Sequence, residues 1–384
     1  MLPALLLAAA LSGSLDVSDR TELRARAPGL TSNGTSMDVE NALAVRLLLG
    51  TRRLRYTLAY EPRFVAWDVN RDTRQYTLFH NGAARVEWSD HRVRYSVEEV
   101  ASYGGVSLAS FSFQPGLDGA TPRVDVIPTQ RVLTLASSTT TLSSLIAMRR
   151  WELETTVGYQ RSGGADTAAR AFLPQQGGPF VRLTAAWMAS RRDRLATTFS
   201  ASESTFSSGS ESVLVEVSEE LRHLITRLTE ARFTMGVSEA HVRPTALGDY
   251  AFSTHPVAEL ALERNPARLE DHLQLRLGAR IGPVLNRQLG VVDERLQASA
   301  GASLLHRRLT TRAFLSASSS VPGGDVFSMT LLAGEVGLAY GASEHLSFDA
   351  GVRGLWQRYA LSQAAFLQGT AFVGVTIRAP RTRL

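Results

Sequence analysis

Leu54, Arg55, Tyr56, Thr57, Leu58, Ala59, Tyr60, Glu61, Pro62, Arg63 and Phe64 follow one another in an alternation of two kinds of side chain. Leu54, Tyr56, Leu58, Tyr60 and Phe64 fall in one phase; Arg55, Thr57, Ala59, Glu61 and Arg63 fall in the other. Successive side chains of a β-strand point to opposite faces, so this stretch has one apolar and one charged side. Wound as a helix, the same residues would scatter around the axis.

Working outward, the alternation recurs along nearly the whole chain. Trp151, Leu153, Val157 and Tyr159 oppose Glu152, Glu154, Thr156 and Gln160. Leu273, Leu275, Leu277 and Ile281 oppose His272, Gln274, Arg276 and Arg280. Leu346, Phe348, Ala350, Val352 and Trp356 oppose His345, Ser347, Asp349 and Arg353, and Ala371, Val373, Val375 and Ile377 oppose Gln368, Thr370, Thr376 and Arg378. Segments of about 10 to 16 residues outrun the usual 5 or 6 of soluble strands. Short links at 50–53, 89–92, 148–150, 190–194, 265–268, 306–308 and 341–344 alternate with generally longer ones at 28–36, 68–73, 104–127, 162–177, 242–248 and 282–289. That rhythm belongs to up-and-down transmembrane barrels, and a soluble sandwich would instead pack its apolar faces on one another. The fold expected is all-β, a transmembrane up-and-down antiparallel β-barrel. About 18 strands are counted, with 16 as the alternative, and no plug domain. An even count puts both termini at one end.

Three places break the pattern. His80 falls on the apolar phase of its strand, and a bulge at Asn81 and Gly82 is expected to restore the phase. Pro62 sits mid-strand on the apolar side, where it removes a ladder donor. Residues 137–144 are so rich in serine and threonine that their faces are barely distinguishable.

Composition narrows the function classes. The 384 residues include no cysteine, which removes disulfide frameworks, thiolate metal sites and cysteine nucleophiles. Beyond the first dozen residues no apolar run approaches the roughly 20 residues of a membrane helix. All 41 basic residues are arginine, spread among 36 acidic ones for a net charge of +5. Nucleic-acid binding needs basic residues clustered on one face, so no nucleic acid is expected. Leu2 to Leu11 with Ser12, Gly13 and Ser14 reads as a signal peptide with a weak n-region. The expected division is residues 1–14 signal peptide, 15–378 barrel and 379–384 a periplasmic tail.

With apolar residues outward, the inward set becomes the functional surface. Arg46, Arg55, Glu61, Arg63, Arg85, Glu87, Arg94, Glu98, Arg161, Arg182, Glu216, Arg232, Arg276, Arg280 and Arg353 are assigned to the pore lining. A barrel of 16 to 18 strands leaves an aqueous channel. The longest insertion, 104–127, either folds inward as a constriction or caps the outside. Mixed charge signs argue against a sharply anion-selective filter. Arginines at the short turns suit anionic headgroups. His241 and His255 flank one outer loop with Asp249 and Ser253 nearby, but no nucleophile elbow, phosphate loop or metal-ligand spacing appears. No enzyme activity, cofactor or metal is expected.

The chain resembles Gram-negative outer-membrane β-barrels over its mature length. More narrowly, its lysine-free, arginine-rich strands look like myxobacterial-type barrels associated with polysaccharide export machines. The resemblance implies an outer-membrane location and a conduit for polysaccharide export. It also implies outer-membrane lipid, the barrel-assembly machinery and a periplasmic polysaccharide export protein as partners. Barrels of this class usually finish on an aromatic residue; here Ile377, Arg378 and a short tail end the chain, with Phe372 in the last strand. A passive or solute-selective diffusion porin needs much the same lumen and is the alternative. A structural or adhesive barrel with a closed lumen is the third reading.

Overall fold

Each strand of this barrel runs antiparallel to the one before it, because each apolar run is joined to the next by a turn or loop that reverses the chain. The computed structural model describes residues 12–27, 35–70, 75–107, 132–264, 273–286, 291–321, 329–359 and 365–383. Eighteen long strands are present. They are β1 (Ser12–Arg26), β2 (Ser36–Gly50), β3 (Leu54–Trp67), β4 (Gln75–Ser89), β5 (Val93–Ser107) and β6 (Val132–Ala147), then β7 (Trp151–Gly164), β8 (Gln176–Met188) and β9 (Asp193–Phe206). There follow β10 (Glu211–Leu224), β11 (Thr229–Arg243), β12 (Ala251–Arg264), β13 (Leu273–Asn286), β14 (Val291–His306), β15 (Leu309–Ser320), β16 (Met329–Gly341), β17 (Leu346–Tyr359) and β18 (Ala365–Arg378). One short helix, α1 (Thr167–Phe172), interrupts the connection between β7 and β8, and a two-residue strand, β19 (Thr382–Arg383), follows β18. β1 pairs with β2 on one side and with β18 on the other, Ser18 to Arg26 lying opposite Arg378 to Thr370, so the sheet closes on itself.

The two faces are told apart by side chains that meet across intervening strands, which only the concave side allows. Arg280 on β13 reaches Glu216 on β10 at 3.7 Å, and Arg20 on β1 reaches Asp349 on β17 at 2.7 Å. Their phase is therefore inward. The opposite phase carries Leu58, Tyr76, Leu260, Val352 and Val373, each about half or more exposed. Large apolar groups this open on one continuous face mark an interaction surface.

Register settles the irregular places. The β3–β4 ladder runs unbroken through Pro62 opposite His80 and Tyr60 opposite Gly82. No bulge forms, and His80 keeps the outward phase, its Nδ1 at 2.6 Å from the Tyr60 hydroxyl. A hydroxyl on the neighbouring strand gives the ring a polar partner, which removes the need for the phase change expected at Asn81 and Gly82.

The chain ends take part in the sheet as well. β1 begins at Ser12, inside the 1–14 segment, because Ser12, Gly13 and Ser14 pair with Gly50, Leu49 and Leu48. The 379–384 tail returns through β19, which pairs with Ser14 and Leu15. Residues 1–11 lie outside the described residues. The link expected at 265–268 lies outside the described residues; of that expected at 282–289, 282–286 belong to β13 and the remainder lies outside the described residues. The 104–127 insertion gives 104–107 to β5; its remainder falls outside the described residues.

Both β1 and β18 have their outer ends beside the tight turns, here called the turn end; the other is the loop end. One ladder is short: β12 pairs with β13 only over Ala258–Arg264, leaving the loop-end halves of both strands unpaired with each other.

Candidate functional site

Charged residues at every second position of the inward phase stack into a mesh of ion pairs. Glu22 on β1 is its densest node, its side chain 2% exposed. Arg20 and Arg24 each hold it at 2.5 Å and Arg353 at 3.4 Å. Arg24 continues to Glu40 on β2, and Arg353 continues at 2.8 Å to Glu335 on β16, which also takes Arg312 at 2.9 Å. The network thus spans the closure of the barrel from β15 to β2. A buried carboxylate stays charged only among such partners, and guanidinium groups supply several donors each in a fixed plane.

Smaller nodes repeat the design. Glu87 takes Arg85 at 2.8 Å with Arg55 and Arg94 each at 3.9 Å. Glu220 gathers Arg222 at 2.6 Å, Arg194 at 3.2 Å and Arg232 at 3.6 Å. Arg63 pairs with Glu61 at 2.5 Å and Arg276 with Glu263 at 3.1 Å. Arg46, Glu98 and Arg182 face inward without an ion-pair partner among the described residues.

Of the fifteen residues assigned to the pore lining, only Arg161 leaves the inward phase. It lies opposite Ser138 and Gly177, in step with Val157 and Tyr159. The alternation across β7 is regular, so a residue two places after Tyr159 must share its face. Arg161 ends near the loop rim, where its guanidinium donates to Gln175 Oε1 at 3.3 Å. The inward residues not anticipated are Arg20, Glu22, Arg24, Asp38, Glu40, Arg194, Glu220, Arg312 and Glu335. Their signal is the same period of two; Arg20, Glu22, Arg24 and Arg26 display it within β1.

Two of the inward aromatic rings are covered by arginines. Arg353 lies 4.1 Å from the centroid of Phe372, and Arg26 lies 5.6 Å from that of Trp67. Both rings are almost fully buried. Sugars stack on open aromatic faces, and these two offer none. Phe372, in the last strand, accordingly points into the barrel rather than out of it.

One connection packs against the inner wall, at a place the sequence did not mark. Ala169 and Leu173, from α1 and its C-cap, pack on Leu133 and Leu135, which are inward on β6. The helix therefore sits against the inner wall at the loop end. Asp166 caps it, its carboxylate accepting the Ala169 N–H at 2.7 Å. The Asp166 pKa is held below the usual carboxylate range, first by that backbone donor and then by the Thr134 hydroxyl. Gly163 makes the entry possible: its φ is +142°, and a Cβ there would stand 2.6 Å from the Gln175 Cα.

Among the candidate histidines, Ser253 Oγ meets His255 Nε2 at 2.9 Å, and His255 Nδ1 meets Glu294 Oε2 at 3.4 Å. Asp249 is not part of this chain of contacts. His241 instead packs on the Phe252 ring, with centroids 4.5 Å apart. The His255–Glu294 contact joins β12 to β14 where the ladder to β13 has ended, which gives it a bracing role. Among the described residues no cluster of histidine and carboxylate side chains forms a metal site.

A closed, charge-lined barrel of this length matches one known family along nearly its whole chain. The EpsX exopolysaccharide export family covers residues 9–382. The chain belongs to that family. No curated protein matches it. The EpsX-family barrel resembles outer-membrane transporters in its fold. It superposes on the copper transporter OprC with a TM-score of 0.53 at 14% identity, covering 96% of this chain and 69% of that one. It superposes on the FrpB iron transporter from Neisseria meningitidis (F5-1 variant, apoprotein form) with a TM-score of 0.52 at 7% identity, covering 90% of this chain. The EpsX-family chain spans 62% of the FrpB chain. Identity this low carries the fold alone. An export family and a barrel architecture together are those of an outer-membrane barrel channel.

Proposed function

We propose that this EpsX-family protein is the outer-membrane conduit through which a polysaccharide chain leaves the cell, its arginine-rich inner wall forming the lumen. Two outward girdles of aromatic residues support the membrane placement. Tyr56, Trp88, Tyr95, Trp151 and Trp187 lie near the turn end, with Trp88 stacked on Tyr95 and Trp151 on Trp187. Phe64, Tyr76 and Tyr103 lie toward the loop end. On β4 the twelve residue steps from Tyr76 to Trp88 span about 40 Å of strand, or roughly 30 Å along the axis at an ordinary tilt. An outer-membrane barrel carries an apolar band about 25 Å tall between such girdles. In this orientation the turn end faces the periplasm, where a periplasmic polysaccharide export protein would dock.

The observation that carries the cargo reading is the self-neutralised inner wall. Its guanidinium groups are largely engaged with carboxylates, and its Phe372 and Trp67 rings lie beneath arginines. Such a wall offers a sliding polymer many weak, exchangeable hydrogen bonds. Binding that is weak at many sites favours passage over capture.

Two measurements together test the proposal. The purified protein in a planar bilayer is expected to open discrete channels. Deletion of its gene is expected to abolish surface polysaccharide while leaving its precursors inside the cell. A bilayer that never conducts overturns the channel. Conduction together with unchanged surface polysaccharide overturns the cargo and leaves the diffusion porin.

A further inference from the structure

The outer surface at mid-height is apolar around two thirds of the barrel and polar in the remaining third. Along each strand, consider the outward positions six to nine residues above the turn end. From β7 to β18, among the described residues, these hold apolar, aromatic or glycine residues, such as Val181, Phe199, Val217, Ala300, Leu315 and Val352. From β1 to β6 the same band holds Asp19, Asn41, His80, Glu99 and Thr140. Asp19 is seven residues above Ser12, Asn41 nine above Gly50, His80 nine above Ser89, Glu99 six above Val93 and Thr140 seven above Ala147.

Register places these groups on the outer face without ambiguity. Asp19 lies opposite Leu43 and Glu99 opposite Thr140, all in the phase of Leu23, Val97 and Leu142. They form three hydrogen-bonded clusters side by side. Asn41 Nδ2 donates to Asp19 Oδ1 at 2.7 Å and to Thr21 Oγ1 at 3.1 Å. The Tyr60 hydroxyl meets His80 Nδ1 at 2.6 Å. Ser138 Oγ donates to Glu99 Oε1 at 2.7 Å, and the Thr140 hydroxyl donates to the other oxygen of the same carboxylate. Each cluster satisfies itself only in part. With Nδ1 occupied by Tyr60, the other ring nitrogen of His80 keeps its hydrogen-bonding capacity, and so do Asp19 and Glu99. Acyl chains supply neither donors nor acceptors, so such groups are costly against lipid.

We propose that the β1–β6 sector is the contact surface for a second copy of this chain, with the copies related by an axis parallel to the barrel axis. The inference rests on the wall lying in a bilayer, as proposed above. Copies in one membrane stand at the same height, so a band confined to one height can meet only its own counterpart. Donors and acceptors also alternate along the band: His80 on β4 stands between the carboxylates of Asp19 on β1 and Glu99 on β5. A sideways offset of one cluster sets the imidazole of one copy against a carboxylate of the next. A soluble partner cannot reach mid-wall, and lipid leaves the clusters unanswered.

The absence of native cysteine makes the test clean. Gly82 on β4 and Gly354 on β17 both face outward at mid-height with room for a side chain, the nearest atom to a Cβ at Gly82 standing 3.9 Å away and nothing within 4 Å at Gly354. In native membranes treated with a bismaleimide, Gly82→Cys is expected to run as covalent multimers and Gly354→Cys as a single chain. The wild type in nanodiscs is expected to weigh as two or more copies, and the triple variant Asn41→Leu, His80→Leu, Glu99→Leu as one copy. A wild type that inserts into nanodiscs as a single copy, or cross-linking at Gly354 in place of Gly82, overturns this proposal and leaves the membrane placement standing. A wild type that dissolves without detergent overturns both.

Discussion

Glu22 shows how much can hang on one side chain of the inner wall. Three arginines share its buried carboxylate, and two of them lead on to Glu335 and Glu40. Removing one member of a buried charge network leaves its partners uncompensated, at a cost of about 3–5 kcal/mol. Glu22→Leu is therefore expected to lower the urea midpoint of the detergent-solubilised barrel far more than Glu61→Leu, whose carboxylate is half-buried and pairs with Arg63. Equal midpoints for the two variants would show that the network at the barrel closure carries no special weight. At this scale the sequence was legible wherever the alternation was clean: Arg55, Arg85, Arg276 and Arg353 all lie where their phase puts them. It was less so on β1, where Asp19 adds a charge in the outward phase beside Arg20 and Glu22 and blurs the two faces. Arg161 was misread because its chemistry, taken alone, suggests water. Its phase with Tyr159 decides otherwise, and a loop-rim position near Gln175 lets it reach polar surroundings.

Among the elements, α1 could not have been read from periodicity, because six residues are too few to establish a period of 3.6. What holds it is tertiary: Ala169 and Leu173 on the inward leucines of β6, and a backbone hydrogen bond from Gly164 N–H to the Leu173 carbonyl at 2.8 Å. Replacing residues 165–175 with a short glycine–serine link is expected to raise single-channel conductance, since it removes a body from the inner wall; unchanged conductance would place the narrowest point elsewhere. The cap brings a pH dependence. Because the folded pKa of Asp166 is depressed, its contribution is complete above the ordinary carboxylate value of about 3.9 and is lost as pH falls through the lower folded value. Amide exchange in α1 is thus expected to accelerate at strongly acidic pH in the wild type and to lose that acid step in Asp166→Asn. The β12–β13 edge sets a second expectation. With its ladder confined to Ala258–Arg264 and the loop-end half braced by His255 against Glu294, amides at 252–257 are expected to exchange faster than those of the fully paired β10–β11 ladder. His255→Ala should widen that difference.

Across the whole molecule, the two ends and the inner wall divide the charge between them. Exposed arginines crowd the turn end, at Arg52, Arg53, Arg92, Arg149, Arg150, Arg191, Arg192, Arg227, Arg307 and Arg308, while Asp90 and Glu344 are the carboxylates on those turns. The inner wall is close to balanced, because nearly every inward arginine stands beside a carboxylate. Among the described residues the excess positive charge is therefore concentrated at the turn end, where it can hold anionic headgroups, and not along the inner wall. A channel with a balanced wall has little reason to prefer one sign of small ion, so the wild-type permeability ratio of potassium to chloride is expected to lie near one. Arg46 and Arg182 offer the means to check that balance, since they face inward without ion-pair partners among the described residues and can be reversed without orphaning a carboxylate. The double variant Arg46→Glu, Arg182→Glu is expected to turn the channel cation-selective at low salt, and the preference should fade toward molar salt as screening shortens to about 3 Å. A reversal potential that stays at zero at low salt would mean that ions pass beyond the reach of this wall.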